Sequence, residues 1–526
     1  MKAELFRPGS YAFILSTFIF HLSPFTLYRS SFIVYPSSFV LRLSSRAERP
    51  ALVVLRPSSF VLRLPRFIFR PSRFAFRCNL RARFVVIKAC LLLLLLSPVV
   101  VVAQAARGDE LRVRQCSPAF DVKEAEREFA AAALKHQRQF RGLIQERGVR
   151  LPSLDGANFD LQDLTATVGR NYEPETAALF YDEDEAGLRA WLIDGAGIRA
   201  FHRAAFAAEQ LEMAMTAVRE SLDVENLEAL RLPPRLRPKR AAAPSRLNAK
   251  ALLPRRLLSL TNLLMPADIA CALLNVRHLI IVPVRDLGTI PFAALRPFDD
   301  ALSLIDRMSV TIAPSLEDLK GEPRAWSGDF RQPLLVGNPY LSPGAGWEPL
   351  PNAEREAQFV ARLYRTTPLI GREATREAIL SKAATADFLY FATHGAADPA
   401  QPLDGGYLVF SGLNGSENVW TAREIQATRL RARLAVLSAC QTGLGKIHDA
   451  GIIGLARAFQ LAGVPRVVMS LWSVYDDATA ELMQAFVGNL RALPPAEALR
   501  QAMLKVRKRR PDPAEWASFV IFGAPL

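Results

Sequence analysis

The strongest constraint on this 526-residue chain is a series of short apolar runs that alternate with amphipathic stretches from residue 278 onward. The runs 278–282, 309–312, 334–336, 387–392, 407–410, 434–437, 466–470 and 518–521 read as strands. Helices are predicted near 354–363, 375–382, 452–461, 479–490 and 495–506. Strands that are apolar on both faces and joined by helical crossovers need a layer of helices on each side. The predicted fold is therefore α/β, with a mainly parallel central sheet flanked by helices. In such sheets functional side chains gather at the carboxyl ends of the strands.

Upstream, the runs 178–181, 188–193 and 198–201 also read as strands, with Asp194-Gly195-Ala196-Gly197 as a hairpin turn. Helices are predicted at 122–145 and 207–222, and the first does not repeat at 34 residues, so tandem helical repeats are not expected. These signals divide the body into a helical N-terminal region, 107–174, and an α/β domain, 175–526, whose front is the small hairpin and helical region. Within it, residues 231–256 carry nine Lys/Arg and no acid among several prolines, the composition of a solvated loop exposed to proteolysis.

Charge tells where the body begins. The chain has 66 Lys+Arg against 51 Asp+Glu, a formal charge of +15. Residues 1–106 hold 15 Lys+Arg and two acids, so they carry +13 and the remainder only +2. The body is nearly neutral, and nucleic acid is not an expected partner. Residues 1–84 form an Arg/Phe/Ser/Pro leader in which Pro36-Ser37-Ser38-Phe39-Val40-Leu41-Arg42-Leu43 recurs unchanged at residues 57–64, without a sustained helical or strand period. Three readings fit it: a nucleic-acid-binding arm, a transit or anchoring segment, or a stretch upstream of the true start. The third is expected from the residues immediately downstream. A positive stretch at 81–88 leads into an apolar run, 89–102, with six consecutive leucines, and then into Ala103-Gln104-Ala105. That order is the one a secretory signal peptide requires, and such a peptide normally stands at the N-terminus. Segment 85–106 therefore predicts export or, if uncleaved, membrane anchoring; a cytoplasmic protein is the alternative.

Two strands end in unusual residues. Phe388-Leu389-Tyr390-Phe391-Ala392-Thr393 runs into His394-Gly395, and Leu434-Ala435-Val436-Leu437-Ser438-Ala439 runs into Cys440. If those strands are parallel neighbours, His394 and Cys440 meet on one rim. A lone strand-end cysteine is as a rule a small buried hydrophobe, and a lone histidine a satisfied core residue; their matched placement argues for chemistry. An imidazolium beside a thiol stabilises the thiolate, and the histidine then serves the leaving amine and the attacking water. Gly395 permits close approach of a reacting carbonyl, so the backbone N–H groups of Gly395 and Cys440 would form an oxyanion hole worth about 3 kcal/mol per donor.

Competing chemistries fail on specific residues. Gly443-Leu444-Gly445-Lys446 lacks the first glycine of a phosphate loop, and Ile447 stands where a hydroxyl would bind Mg²⁺. There is no Gly-x-Ser-x-Gly and no His-Glu-x-x-His. Cys440, His448 and Asp449 lack a second thiolate for zinc. No metal and no cofactor is expected. The five cysteines, Cys78, Cys90, Cys116, Cys271 and Cys440, contain no CxxC pair and make a poor disulfide framework.

At these residues the chain resembles the CHAT family of caspase-like proteins, relatives of caspases and separases. The resemblance rests on Leu279-Ile280-Ile281-Val282-Pro283, Ile290-Pro291-Phe292-Ala293-Ala294-Leu295, Ala313-Pro314-Ser315-Leu316, Phe391-Ala392-Thr393-His394-Gly395, Leu437-Ser438-Ala439-Cys440-Gln441-Thr442-Gly443, Gly454-Leu455-Ala456-Arg457-Ala458-Phe459 and Ser470-Leu471-Trp472-Ser473-Val474. It implies a caspase-hemoglobinase-like layered fold over 175–526 and a cysteine endopeptidase with His394 as general base and Cys440 as nucleophile. The His–Cys separation of 46 residues is near the roughly 50 of caspases. By the same resemblance the strand end holding Ser470 and Trp472 lines the groove for an extended protein or peptide substrate. Relatives that cleave after basic residues often place an acid where Ser438 stands; Asp449, Asp476 and Asp477 are alternatives, although each reads more readily as a solvated or helix-capping carboxylate. A caspase-like interaction or scaffold module with little turnover is the alternative function.

Overall fold

The computed structural model describes short strands between residues 20 and 55, and then residues 120–146, 159–206, 208–222, 243–298, 302–321, 326–342, 347, 349–396, 401, 403–412, 418–438, 446–448, 451–472 and 476–523. The signal-like segment 85–106, the first half of the basic stretch, Cys440 and Asp449 lie outside the described residues. The chain divides into two units, Met1–Ala103 and Gln104–Leu526.

In the first unit Phe20–Leu22 pairs antiparallel with Phe25–Leu27, and Ser31–Tyr35, Ser38–Leu43 and Ala51–Leu55 form a three-stranded antiparallel sheet. The leader, which shows no sustained strand period, thus still forms short strands. Ser-Phe-Ile-Val-Tyr and Ser-Phe-Val-Leu-Arg-Leu are rich in aromatic and β-branched residues, and strands this short need only local preference.

The second unit is built on an eleven-stranded sheet. Its strands are β1 (Thr176–Asp184), β2 (Gly187–Asp194), β3 (Gly197–Ala204), β4 (His278–Val282), β5 (Ser309–Ile312), β6 (Pro333–Pro339), β7 (Leu369–Gly371), β8 (Phe388–Ala392), β9 (Leu434–Leu437), β10 (Arg466–Ser470) and β11 (Phe519–Gly523). They lie in the order β7-β6-β8-β9-β10-β11-β5-β4-β1-β2-β3. Strands β7, β6, β8, β9 and β10 are mutually parallel. Strand β11 pairs antiparallel with β10 and parallel with β5, and β4 and β1 continue in that second direction. The sheet is mainly parallel, as predicted: two parallel sets of opposite sense, β7-β6-β8-β9-β10 and β11-β5-β4-β1, meet at the β10–β11 pair, and β2 and β3 extend the second set as an antiparallel meander. The strand carrying Phe388–Ala392 is buried on both faces, which accounts for its unbroken apolar run.

The principal helices are α1 (Val122–Glu146), α2 (Leu161–Asn171), α3 (Ala208–Ser221), α4 (Ala243–Leu264), α5 (Pro351–Tyr364), α6 (Arg376–Ala383), α7 (Ala422–Ala427), α8 (Leu455–Leu461), α9 (Asp476–Asn489) and α10 (Pro495–Arg507). Period-two alternation along β1 sends Ala178 and Phe180 to one face and Leu179 and Tyr181 to the other. On the first face Phe129, Ala132 and Ala133 of α1 and Leu164 and Val168 of α2 pack with Phe180, Trp191, Ile193 and Ile280. On the second, Leu211, Met215 and Val218 of α3 and Leu257, Leu260 and Leu264 of α4 pack with Leu179, Tyr181 and Leu192. The helical N-terminal region therefore shares its core with the sheet.

Helix α4 occupies the second half of the stretch read from sequence as a basic loop. Leu253, Leu257, Leu260 and Leu264 recur at four-, three- and four-residue spacing and are all buried. That apolar stripe outweighs both the basic composition and Pro254, which lies inside the helix. Helix α8 starts three residues later than the predicted 452, because Gly451–Ile453 instead pairs antiparallel with Lys446–His448.

One buried histidine makes this body sensitive to acid. His136 on α1 is 1% exposed, edge-on to Phe180 at 5.5 Å and stacked with Phe140 at 6.4 Å. Burial pushes its pKa down to about 4, against the attraction of Asp182. The unfolded chain takes up this proton near pH 6.5, whereas the folded chain refuses it until about pH 4, so stability is lost as pH falls through that window. The loss amounts to about 3 kcal/mol. Urea midpoints measured from pH 7 to 4.5 should fall less steeply in His136→Leu than in the wild type, and parallel profiles would refute this assignment.

Candidate active site

The candidate site lies at the carboxyl rim of the β7–β10 half. The condition set by the sequence is met: β8 and β9 are parallel neighbours, in register from Phe388↔Leu434 to Phe391↔Leu437. His394 follows Phe391 by three residues, and Cys440 follows Leu437 by three. On the far side of β9, Leu437 is opposite Met469 of β10, so Ser438 and Ser470 both follow directly from paired positions.

His394 is held by its backbone on both sides. The Thr393 hydroxyl donates to the Val409 carbonyl at 2.6 Å, and the Val409 N–H donates to the His394 carbonyl at 2.9 Å. Gly395–Ala396 then pairs antiparallel with Tyr407–Phe410, which pairs with Asn418–Thr421. The chain thus passes at His394 from the central sheet into a small second sheet, and Gly395 is buried opposite Leu408. The imidazole itself is half-buried, and the Trp347 ring lies 4.8 Å from it at 38°. Trp347 comes from the β6–α5 connection, whose base is closed by the Asn338 side chain accepting from the Leu350 N–H at 2.8 Å.

The remaining candidates are placed as follows. Ser438 is 9% exposed. Ser470 is fully buried and paired with Phe519 of β11. Trp472 is buried, and its indole N–H donates to the Ala514 carbonyl at 3.2 Å, so the backbone of this segment, rather than the ring, is what it can offer a peptide. Asp476 opens α9. Asp477, the other carboxylate weighed for specificity, accepts from the Asn352 amide at 2.8 Å. Among the described residues no group of three His, Cys, Asp or Glu is placed to hold a metal.

Sequence reasoning missed Trp347 and the buried carboxylate Glu356. Trp347 carries no periodic signal, standing in a Pro/Gly-rich connection. Glu356 does carry one: it lies among Ala353, Ala357, Val360 and Ala361, on the buried stripe of α5, where a carboxylate breaks the pattern. One reading of the cysteines also changes, because Cys271 is disulfide-bonded. A pairing between distant positions leaves no spacing motif in a sequence, which is why counting CxxC pairs did not find it.

Comparison with known proteins agrees with the resemblance. The family model described as the CHAT domain matches residues 255–524. Tetratricopeptide repeat protein 28 of Homo sapiens is 28% identical over 297 residues, and its Mus musculus counterpart is 26% identical over the same length. Each match covers 48% of this chain but only 12% of the relative, so the chain spans about an eighth of the length of these curated proteins. Among solved structures, the Saccharomyces cerevisiae separase–securin complex at 2.6 Å matches 69% of this chain and 31% of its own, with TM-score 0.45 and 12% identity. The Arg-specific cysteine proteinase gingipain R matches 61% of this chain and 76% of its own, with TM-score 0.34 and 12% identity.

Proposed function

This chain belongs to the CHAT domain family, and we propose that it is a cysteine endopeptidase of the caspase-like type, working through His394 and Cys440. The observation that carries the reading is the parallel, in-register adjacency of β8 and β9, with each candidate residue three positions beyond the last shared pair. In the proposed reaction the Cys440 thiolate attacks the scissile carbonyl carbon while N–H donors at Gly395 and Cys440 receive the developing oxyanion. The tetrahedral adduct collapses by breaking the C–N bond, and His394 gives its proton to the leaving amine. Water, deprotonated by His394, then cleaves the thioester and returns the thiol. Ser470 and Trp472 would present backbone to an extended peptide. The partners are protein or peptide substrates.

Export is part of the proposal. The ordered basic, apolar and A-x-A segments at 81–105 support it, and the disulfide at Cys271 fits an oxidising compartment.

A single experiment tests this set. Non-reduced protein is treated with a pool of peptidyl acyloxymethyl ketones covering all residues at the cleaved position, and then peptide-mapped. The wild type should be labelled at Cys440, and Cys440→Ala should not be labelled. Equal labelling of both proteins would remove Cys440 from the chemistry. A second reading, an interaction module with negligible turnover, draws on the curated relatives being named as tetratricopeptide repeat proteins. It predicts a free Cys440 thiol that none of these probes modifies.

A further inference from the structure

Resting on that reading, we infer that Glu356 and Tyr390 are positioning residues that act through Ser438 to fix the backbone two residues before the nucleophile. The Tyr390 hydroxyl donates to Glu356 Oε1 at 2.6 Å, with the tyrosine fully buried and the glutamate 2% exposed. Tyr390 is opposite Val436 in the parallel register, and Ser438, two residues on, returns to the same face of β9. Ser438 thus lies on the face of β9 that Tyr390 occupies on β8, and it acts on the Tyr390 phenol, which continues the line from helix α5 through β8 to the end of β9.

The packing that permits this chain is specific. Gly337 on β6 lies so close to α5 that an added Cβ would come within 2.5 Å of Ala357 Cβ and 2.9 Å of the Ala353 carbonyl. The missing side chain lets α5 settle onto the sheet and delivers Glu356 to Tyr390. Burial is the main reason the phenol holds its proton far above the usual range, followed by the adjacent Glu356 charge. A leucine at position 356 would fill an apolar core without the cost of burying a carboxylate. The place where the chain ends indicates its role. The β8–β9 ladder stops at Phe391↔Leu437 and the β9–β10 ladder at Leu437↔Met469, so Ser438 is the first residue of β9 without a sheet partner in either ladder. Side-chain packing against Tyr390 takes over where the ladder ends, and two residues later in the chain comes Cys440. The serine that replaces the acid of basic-specific relatives is therefore committed inward, to Tyr390.

The test uses the full chain, with Tyr390→Phe, Ser438→Ala and Ser438→Thr. Cys440 is titrated with the peptidyl acyloxymethyl ketone pool, which needs an aligned site, and with iodoacetamide, which needs only an accessible thiolate. Tyr390→Phe and Ser438→Ala should slow labelling by the pool roughly 10- to 100-fold, the range for displaced reacting groups and lost supporting hydrogen bonds. Iodoacetamide rates should stay within about 3-fold, a change near 0.6 kcal/mol, and Ser438→Thr should restore pool labelling. Wild-type pool rates in both disabling variants would overturn the inference while leaving the dyad intact. So would losses that merely follow melting temperature and are not rescued by threonine. A wild type that iodoacetamide modifies and the pool does not would sink the peptidase reading itself.

Discussion

Replacing His394 with glutamine is expected to reduce the proposed Cys440-dependent peptide cleavage by roughly 10²- to 10⁴-fold, the scale of a lost general acid–base. The substitution keeps a planar polar side chain, and the residue's backbone is held by the Thr393–Val409 and Val409–His394 hydrogen bonds, neither of which uses the imidazole. The small sheet beyond Gly395 should therefore persist, and the loss should appear in kcat rather than in substrate affinity. The pH profile of iodoacetamide alkylation separates the roles further. If the proposed dyad operates, loss of the imidazole should shift the pH dependence of Cys440 alkylation upward. An alkylation profile unchanged by His394→Gln would show that the two groups are not electrostatically coupled, and would remove the histidine from the mechanism.

The second large effect concerns stability. Trp191→Ala should destabilise the body by about 3–5 kcal/mol, the range for emptying a large aromatic site. Trp191 is fully buried between sheet and helices, with ring centroids 5.1 Å from Phe201, 5.6 Å from Phe180 and 5.9 Å from Phe129. Its indole N–H donates to the Ala125 carbonyl at 3.1 Å, tying β2 to the first turns of α1. Trp191→Phe should recover most of the packing and lose about 1 kcal/mol for the hydrogen bond. Urea unfolding followed by both tryptophan fluorescence and far-ultraviolet circular dichroism checks the shared core. The two signals should move together in Trp191→Ala. Separate transitions would mean that α1 and α2 fold apart from the sheet.

The sheet was highly legible in the sequence because its strands are buried on both faces. The predicted limits of the His278–Val282, Ser309–Ile312, Leu434–Leu437 and Arg466–Ser470 strands coincide with those observed. What a linear pattern cannot encode is direction. Nothing in the Phe519–Gly523 run distinguishes a strand parallel to its neighbour from one that reverses, and β11 is both, depending on the side. Helix α4 was obscured by its own surface, since basic side chains on the outer face suggested a loop while four leucines lined the inner one. The candidate site was legible as strand-end residues, His394 and Ser438. Its supports were not, because Trp347 and Glu356 approach from the β6–α5 region, some forty residues before His394 in the chain.

The position of β11 also orders events during synthesis. Its five residues lie between β10 and β5, in the middle of the sheet, although they follow every other described strand in the chain. Until residues 519–523 arrive, β10 and β5 face each other as two open edges, and the Leu471 N–H lacks the Ser518 carbonyl that it meets at 2.7 Å in the finished fold. The segment leading from Ser470 to Trp472, beside the rim where a substrate would lie, is thus among the last parts of the body to be secured. His394 and Cys440 both precede residues 519–523 in the chain, so the rim that bears His394 is joined to the β5 side of the sheet only once this late strand is in place.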